Sequence, residues 1–263
     1  MQLLNLGVAT AGFGLPIRES LRRAAAMGAQ GVVFDARYEV QGEEFTDSAR
    51  RQLKHLLDEL GLRLVGFHYP IRRPITDPQD VDRRIEALRK AMSLSALFQC
   101  RILTFRFGAL PAADDLEGSE YFQQVLEDLA LHGNRVGVIP TLISGGESPQ
   151  RMKEFLARVT SGFIGVDCDP TQHLGRRNQV SEMLRELHDR ISHVQVKDAL
   201  RDLDGQIREV PVGRGEVDWT EILPTLQEIE YRGWLTVNRT SGGDWLGDCA
   251  RAIEYMRTLL LGG

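Results

Sequence analysis

The chain alternates between two hydrophobic periodicities along its whole length. Short apolar runs typical of buried β-strands are each followed by a longer stretch with apolar residues at helical spacing, and this pair occurs eight times. The predicted strands are Leu4–Ala9, Gly31–Asp35, Leu62–Phe67, Arg101–Arg106, Val136–Ile143, Ile164–Asp169, Ile191–Lys197 and Trp234–Asn238. The predicted helices are Pro16–Met27, Asp47–Leu60, Pro78–Phe98, Ser119–His132, Pro149–Val159, Val180–His188, Trp219–Ile229 and Trp245–Leu260. Eight βα units without a Pro- or Ser-rich linker predict one α/β domain, a (β/α)8 TIM barrel spanning residues 1–263.

Local signals support these boundaries. Gly28, Gly61 and Gly133 each stand where a helix should end before the next strand. Asp218 opens the seventh helix in an Asp-x-x-Glu pattern similar to a capping box. A doubly wound open sheet is the alternative, but the first strand is not followed by the G-x-G-x-x-G spacing that such a sheet often carries.

Composition excludes several classes of protein. Lys and Arg number 32 against 37 Asp and Glu, a formal charge of -5 that argues against nucleic-acid binding, which needs a basic face. No apolar run approaches the ~20 residues of a membrane helix. The 3 cysteines are far apart and lack metal-ligand spacing, and the first residues do not form a signal peptide. These features predict a reduced, cytoplasmic protein.

Polar residues cluster at the predicted carboxyl ends of the strands, where a (β/α)8 barrel carries its active site. They are Thr10, Asp35, Arg37, His68, Tyr69, Arg106, Ser144, Asp167, Asp169, Gln172, His193, Gln195, Lys197, Asp198, Asn238 and Arg239. Because side chains alternate along a strand, Asp167 should point into the barrel and meet His193 or Lys197 on the next strand. An Asp167–His193 pair is interpreted either as a structural buried pair or as an acid/base pair.

Two motifs late in the chain resemble a known superfamily. Residues 191–198 read Ile-Ser-His-Val-Gln-Val-Lys-Asp, and residues 213–218 read Gly-Arg-Gly-Glu-Val-Asp. These are similar to the His-x-His-x-Lys-Asp strand and the Gly-x-Gly-x-x-Asp loop of the xylose isomerase-like TIM barrels. That superfamily contains sugar and sugar-phosphate isomerases and epimerases together with apurinic endonucleases. The resemblance implies the same barrel and a chemistry of this class.

The resemblance also implies a divalent cation held by Glu, Asp, His and Glu from the fifth to eighth strands. Here only the Asp is retained, as Asp169, while Ile143, Gln195 and Asn238 stand at the other three positions. Hard cations prefer several anionic oxygen ligands. The sequence therefore predicts no tight metal site and no other cofactor.

A weakly bound Mn²⁺ or Mg²⁺ is the open alternative to a metal-free site. It would require side chains outside the family positions to join Asp169, and the candidates are His68, Glu147 and Asp198.

A metal-free isomerisation needs a base and a group that stabilises negative charge on oxygen. Asp35 is the candidate base, and Lys197 or Arg106 is the candidate electrophile, with Asp169 completing the predicted catalytic set. The alternative for Arg106 is a salt bridge to Asp35, Asp169 or Asp198.

A second set of residues is predicted to bind substrate. It comprises His68, Arg37, Gln172, His193, Gln195, Asn238 and Arg239. Arg37, Arg239 and the loop at Ser241–Gly243 also suit an anionic group, since phosphates often bind in the loops after the last strands of such barrels.

The sequence thus favours an enzyme of the sugar (phosphate) isomerase or epimerase class, acting on a small polyhydroxylated or anionic substrate without the family metal. The alternative is a catalytically inactive barrel that binds a carbohydrate or a protein partner. Endonuclease activity is disfavoured by the acidic composition. The resemblance leaves homo-oligomer formation open.

Overall fold

The computed structural model describes residues 4–40, 46–144, 146–174, 179–202 and 204–262. The strands in these ranges are β1 (Asn5–Ala9), β2 (Gly31–Asp35), β3 (Arg63–Tyr69), β4 (Ile102–Gly108), β5 (Ile139–Ser144), β6 (Gly165–Cys168), β7 (Ile191–Val196), β8 (Asp198–Arg201), β9 (Ile207–Val210) and β10 (Trp234–Val237). All but β8 and β9 join in a closed parallel barrel in the order β1–β10–β7–β6–β5–β4–β3–β2. The predicted (β/α)8 barrel is confirmed.

Helices follow the barrel strands and form the outer layer. They are α1 (Ile17–Ala26), α2 (Asp47–Glu59), α3 (Val81–Leu97), α4 (Leu116–Val136), α5 (Pro149–Ala157), α6 (Gln179–Glu186), α7 (Trp219–Glu228) and α8 (Trp245–Gly262). Aromatic side chains join the two layers: the Phe67 ring of β3 lies 5.5 Å from Phe98, and the Phe107 ring of β4 lies 6.2 Å from Phe155 of α5. Residues of the opposite parity on the same strands, such as His68, face the barrel interior.

The glycine signals were interpreted correctly at two of three places. Gly28 and Gly61 follow α1 and α2 with φ of 81° and 65°, a left-handed conformation that favours glycine. The prediction at Gly133 is wrong, because α4 continues through it and ends before Gly137, which has φ of 74°. A Cβ at Gly133 would lie 2.5 Å from the carbonyl oxygen of Val138. That glycine is therefore required by close packing of α4 on the start of β5.

An antiparallel hairpin of β8 and β9, absent from the predicted elements, follows β7. The Asp198 carboxylate at its start accepts hydrogen bonds from the backbone N–H groups of Gly213 and Gly215, both at 2.9 Å, and of Val217 at 3.1 Å. A Cβ at Gly215 would lie 2.1 Å from Asp198 Oδ1. The Lys-Asp and Gly-x-Gly motifs thus fix the loop that holds the hairpin beside the barrel end.

Two further predictions concern membrane-spanning helices and the cysteines. No helix in the part of the chain that the structure describes is long and apolar enough to cross a bilayer. Cys100, Cys168 and Cys249 are buried and free. Burial raises the pKa of the Cys100 thiol to about 11, so this thiol is not a nucleophile at neutral pH.

Candidate functional site

A cavity of about 310 Å³ opens at the carboxyl ends of the barrel strands. Its lining comes mainly from β1, β2, β3, β7 and β10 and from the residues that follow them. The lining residues are Ala9, Ala11, Gly12, Val33, Phe34, Asp35, His68, Pro70, Thr104, Asp167, His193, Gln195, Thr236, Asn238, Arg239, Thr240 and Trp245. The wall thus combines carboxylates, imidazoles and amides with apolar and aromatic surface, a composition typical of small-ligand sites.

A chain of hydrogen bonds crosses the cavity floor. Asp167 Oδ1 lies 2.8 Å from His193 Nδ1, and Asp167 Oδ2 accepts from Gln195 Nε2 at 2.8 Å. His193 Nε2 lies 2.8 Å from Thr236 Oγ1, while Asn238 Nδ2 donates to Gln195 Oε1 at 3.0 Å. The predicted Asp167–His193 contact is confirmed. With both ring nitrogens partnered, the imidazole is held in one orientation beside the cavity.

Asp35 and His68 lie side by side in register at the ends of β2 and β3. Asp35 is only 6% exposed, and its Oδ1 accepts hydrogen bonds from the backbone N–H groups of Arg37 at 2.7 Å and Tyr38 at 2.9 Å. Burial raises the pKa of the Asp35 carboxyl, and these two N–H groups offset part of that effect. Burial also lowers the pKa of His68, whose Nδ1 lies 3.0 Å from Thr104 Oγ1. We call this wall, with the floor residues His193, Gln195 and Asn238, the cavity side of the site.

A network of paired charges occupies the neighbouring sector, and we call it the ion-pair side. Lys197 Nζ lies 3.2 Å from Asp169 Oδ2 and 3.8 Å from Glu209 Oε2. Arg239 Nη1 lies 2.7 Å from Glu209 Oε1, and Arg239 Nε lies 2.9 Å from Asp248 Oδ2. Burial lowers the pKa of the Lys197 ammonium, but the nearby carboxylates outweigh this and raise it overall. Lys197 is therefore a charged, paired group at neutral pH.

The structure separates the predicted site residues into two groups. Asp35, His68, His193, Gln195, Asn238 and Arg239 line the cavity. The others lie outside the cavity lining, and they are Arg37, Arg106, Asp169, Gln172 and Lys197.

Both predicted arginines outside the cavity lining are exposed. The Arg37 guanidinium stacks over the Tyr38 ring, 5.3 Å from its centroid. Among the described residues Arg106 forms no salt bridge, so the predicted alternative of an ion pair with Asp35, Asp169 or Asp198 is wrong. Arg106 stands near the end of β4 with its side chain exposed.

Several residues of the site were missed by the sequence reasoning. Thr236 lies two residues before Asn238 on β10, so strand alternation could have placed it on the same inward face. Glu209 carried no signal, because the hairpin that contains it was not predicted. Trp245 lines the cavity from the start of α8, and a Cβ at Gly12 would lie 2.2 Å from its ring. That contact explains why a glycine is needed there.

The donor atoms around Asp169 decide whether a divalent cation can bind there. Within the described ranges no group of three or more His, Cys, Asp or Glu side chains is arranged to hold a metal ion. Asp169 Oδ1 accepts from the N–H and hydroxyl of Thr171, at 3.0 and 2.6 Å, and its Oδ2 faces Lys197. Gln195 and Asn238 are hydrogen-bonded to each other. These residues do not fit a hard divalent cation.

The other candidate metal ligands form hydrogen bonds with other groups of the chain. Glu147 accepts a hydrogen bond from the backbone N–H of Leu110 at 2.7 Å. Asp198 holds the hairpin loop, and His68 contacts Thr104. None of the three converges with Asp169 in a metal-binding group of described residues.

Residues 21–259 match the family model described as xylose isomerase-like TIM barrel. A search of curated protein sequences gives no significant match. Solved structures similar to the chain along its length include a xylose isomerase domain protein from Planctomyces limnophilus (22% identity, 99% of this chain and 97% of that chain, TM-score 0.84).

Two further structures are similar at lower identity. One is a xylose isomerase-like TIM barrel protein from Mycobacterium smegmatis in complex with magnesium (18% identity, 98% and 97% of the two chains, TM-score 0.74). The other is the D-psicose 3-epimerase from Clostridium cellulolyticum H10, solved with D-tagatose (14% identity, 98% and 99% of the two chains, TM-score 0.74). At these identities the similarity establishes the fold.

Proposed function

Because the chain belongs to the xylose isomerase-like TIM barrel family, we propose that it is a sugar isomerase or epimerase whose substrate binds in the cavity at the carboxyl ends of the strands. The observation that carries this proposal is the cavity of about 310 Å³, which combines two buried carboxylates, two imidazoles and two amides. Its size suits a monosaccharide, and its polar groups suit hydroxyl groups of a substrate.

Asp35 is the proposed base. Its Oδ1 is fixed by two backbone N–H groups, while its Oδ2 accepts no hydrogen bond from the described residues and is free for substrate. Burial makes the carboxylate a stronger base than it is in water. Asp35 would remove a proton from the carbon next to a sugar carbonyl. The carbonyl oxygen would gain a proton at the same time, which gives an enediol. For an isomerisation, the protonated Asp35 would return its proton to the former carbonyl carbon, while the hydroxyl of the first carbon loses its proton to become the new carbonyl. For an epimerisation, the proton would be delivered to the opposite face of the same carbon from the other wall of the cavity.

His193 is the proposed second acid/base group. Its ring is oriented by Asp167 and contacts Thr236, whose hydroxyl also lines the cavity. A proton can therefore pass between His193 and a substrate oxygen through this hydroxyl. His193 on β7 and Asp35 on β2 are separated by β10 and β1, so they approach a bound sugar from different walls.

The ionic contacts favour an uncharged substrate over a phosphate ester. Arg239, the cation of the cavity lining, is already paired with Glu209 and Asp248. Lys197 is paired with Asp169 and Glu209. An anionic group would have to compete with these carboxylates and would also approach Asp35.

We infer that the chemistry runs without the family cation. Three of the four family ligand positions hold Ile143, Gln195 and Asn238, and the retained Asp169 is committed to Thr171 and Lys197. No step of the proposed reaction is therefore assigned to a metal ion.

The test is hydrogen exchange in D₂O, followed by proton NMR on neutral ketohexoses. We expect the protein to replace the proton next to the carbonyl by deuterium, and Asp35→Asn to slow this at least about 100-fold. The matched control is Asp128→Asn, the same change at a carboxylate of α4 that pairs with Arg89 and lies outside the cavity lining. Exchange that Asp35→Asn leaves unchanged contradicts the mechanism.

The catalytically inactive barrel is the second candidate. It is favoured by one observation: Lys197, the predicted electrophile, is neutralised by two carboxylates and lies outside the cavity lining. Saturable binding of a ketohexose without any exchange would support this function instead.

A further inference from the structure

The turn that follows β2 closes around Asp35. The Asp35 carboxylate accepts hydrogen bonds from the backbone N–H groups of Arg37 and Tyr38. The Asp35 carbonyl oxygen accepts from the N–H groups of Glu39 at 3.2 Å and Val40 at 3.3 Å. In return, Glu39 Oε2 accepts from the Asp35 backbone N–H at 2.8 Å. Because each acidic side chain holds backbone beside the other, as in a capping box, the direction of the Asp35 side chain depends on a turn that Glu39 closes.

The same oxygen of Glu39 also connects this turn to β1. The hydroxyl of Thr10, which follows β1 and is only 1% exposed, donates to Glu39 Oε2 at 3.0 Å, and Val33 O lies farther from it, at 3.3 Å. The Thr10 backbone N–H donates to Val33 O of β2 at 3.1 Å. A hydrogen bond from a buried hydroxyl to a carboxylate is stronger than one between neutral groups. Glu39 therefore anchors the turn of Asp35 to the barrel wall.

Charge pairing does not explain the position of Glu39. Among the described residues Glu39 forms no salt bridge, although its side chain is partly buried. Burial raises the pKa of the Glu39 carboxyl, hydrogen bonds from Asp35 and Thr10 offset part of this effect, and the negative charge of Asp35 raises the pKa further. One acid beside another is unfavourable unless hydrogen bonds hold it there. What Glu39 contributes at this position is therefore its hydrogen bonds to Asp35 and Thr10.

We propose that Glu39 is a positioning residue of the site: with one carboxylate oxygen it holds the backbone of Asp35 and the hydroxyl of Thr10, and so keeps Asp35 Oδ2 directed at the cavity. This rests on the function proposed above, in which Asp35 is the base. Glu39 lies outside the cavity lining and acts only through Asp35.

Two uncharged variants separate the hydrogen bonds of Glu39 from its charge. Glu39→Gln loses the charge but keeps an oxygen that can accept from the Asp35 N–H, whereas Glu39→Ala loses both. The amides of Arg37 and Tyr38 report the direction of the Asp35 carboxylate, because they donate to it and not to Glu39. If Glu39 positions Asp35, removing the acceptor should expose these two amides to water.

The first measurement needs no sugar. Amide hydrogen exchange of the full, isotope-labelled chain is followed by NMR. We expect the Arg37 and Tyr38 amides to exchange at least about tenfold faster in Glu39→Ala than in the wild type, and Glu39→Gln to restore most of their protection. The Val166 amide, which donates to Arg190 O at 2.8 Å on the opposite side of the barrel, is the internal control and should not change.

A second variant covers the case in which Glu39→Ala does not fold. Thr10→Val keeps the shape of the side chain but removes the hydroxyl that holds Glu39. It should speed exchange of the Arg37 and Tyr38 amides at least about threefold.

The second measurement is the rate of deuterium incorporation into the sugar. Glu39→Ala should lower kcat at least about tenfold and leave KM within about twofold, because a misdirected base slows the chemical step without removing a contact to the substrate. Glu39→Gln should recover most of the lost kcat.

Four results would overturn the proposal. In a folded Glu39→Ala variant they are unchanged protection of the Arg37 and Tyr38 amides, an equal acceleration at Val166, and an unchanged kcat. The fourth is a Glu39→Gln variant that behaves like Glu39→Ala. A wild type that incorporates no deuterium into the sugar would instead contradict the proposed function, while the amide measurement still decides whether Glu39 positions Asp35.

Discussion

The two sides of the barrel mouth use the same kinds of residue in opposite ways. On the ion-pair side, the charged side chains are paired with one another: Lys197 and Arg239 both contact Glu209, and Lys197 also contacts Asp169. On the cavity side, Asp35 is buried and forms no salt bridge with the described residues, and Asn238 Oδ1 accepts no hydrogen bond from them. Unused hydrogen-bonding capacity facing a cavity therefore distinguishes a ligand site from a structural network.

The largest expected effect comes from breaking the ion-pair side. Arg239→Met keeps the side-chain length but leaves Glu209 and Asp248 without their shared buried cation, so the free energy of unfolding should fall by about 3–5 kcal/mol. Urea denaturation measures this change. The control is Arg251→Ala, which removes a second partner of Asp248 from a side chain that is 61% exposed. It should cost no more than about 1 kcal/mol. Equal losses of stability in the two variants would show that the buried ion pairs of Arg239 contribute no more than the exposed ion pair of Arg251.

On the cavity side, Asp35→Asn should stabilise the protein at neutral pH. Burial raises the pKa of Asp35 in the folded state above its ordinary value of 3.8, so the folded state binds the proton more tightly than the unfolded state. The wild type therefore loses stability as the pH rises from 3.8 through the folded pKa, and Asn does not. Denaturation at several pH values should show a gain for Asp35→Asn near pH 7 that vanishes below pH 3.8. A loss of stability at neutral pH would mean that an unrecognised cation neutralises Asp35.

The smallest effect is expected at Arg106. This side chain is exposed, lies outside the cavity lining and forms no ion pair with the described residues. Arg106→Gln should change the free energy of unfolding by no more than about 0.5 kcal/mol and the exchange rate by about twofold or less. Loss of exchange in a folded Arg106→Gln variant would restore Arg106 as the electrophile that the sequence predicts.

The barrel itself was predictable because its periodicities are local. Strand β2 was placed with both ends correct. Strand alternation limited the partner of Asp167 to His193 or Lys197, and His193 is the one in contact. The division of the mouth into two sides was not predictable. It depends on Glu209, which reaches Lys197 and Arg239 only because Asp198 folds the hairpin beside the barrel. Sequence spacing identifies which residues lie at the carboxyl ends of the strands. It does not identify which charged side chains there form ion pairs with one another.

The most direct test of this division is calorimetric titration with a neutral ketohexose and with its 6-phosphate ester. We predict that the neutral sugar binds with one-to-one stoichiometry, and that the phosphate ester binds at least about tenfold more weakly, because the cations of the mouth are already paired. Asp35→Asn should lessen the difference, since it removes the negative charge that faces the cavity. Tighter binding of the phosphate ester would show that Arg239 or Lys197 exchanges its internal partner for the ligand, and would contradict the account.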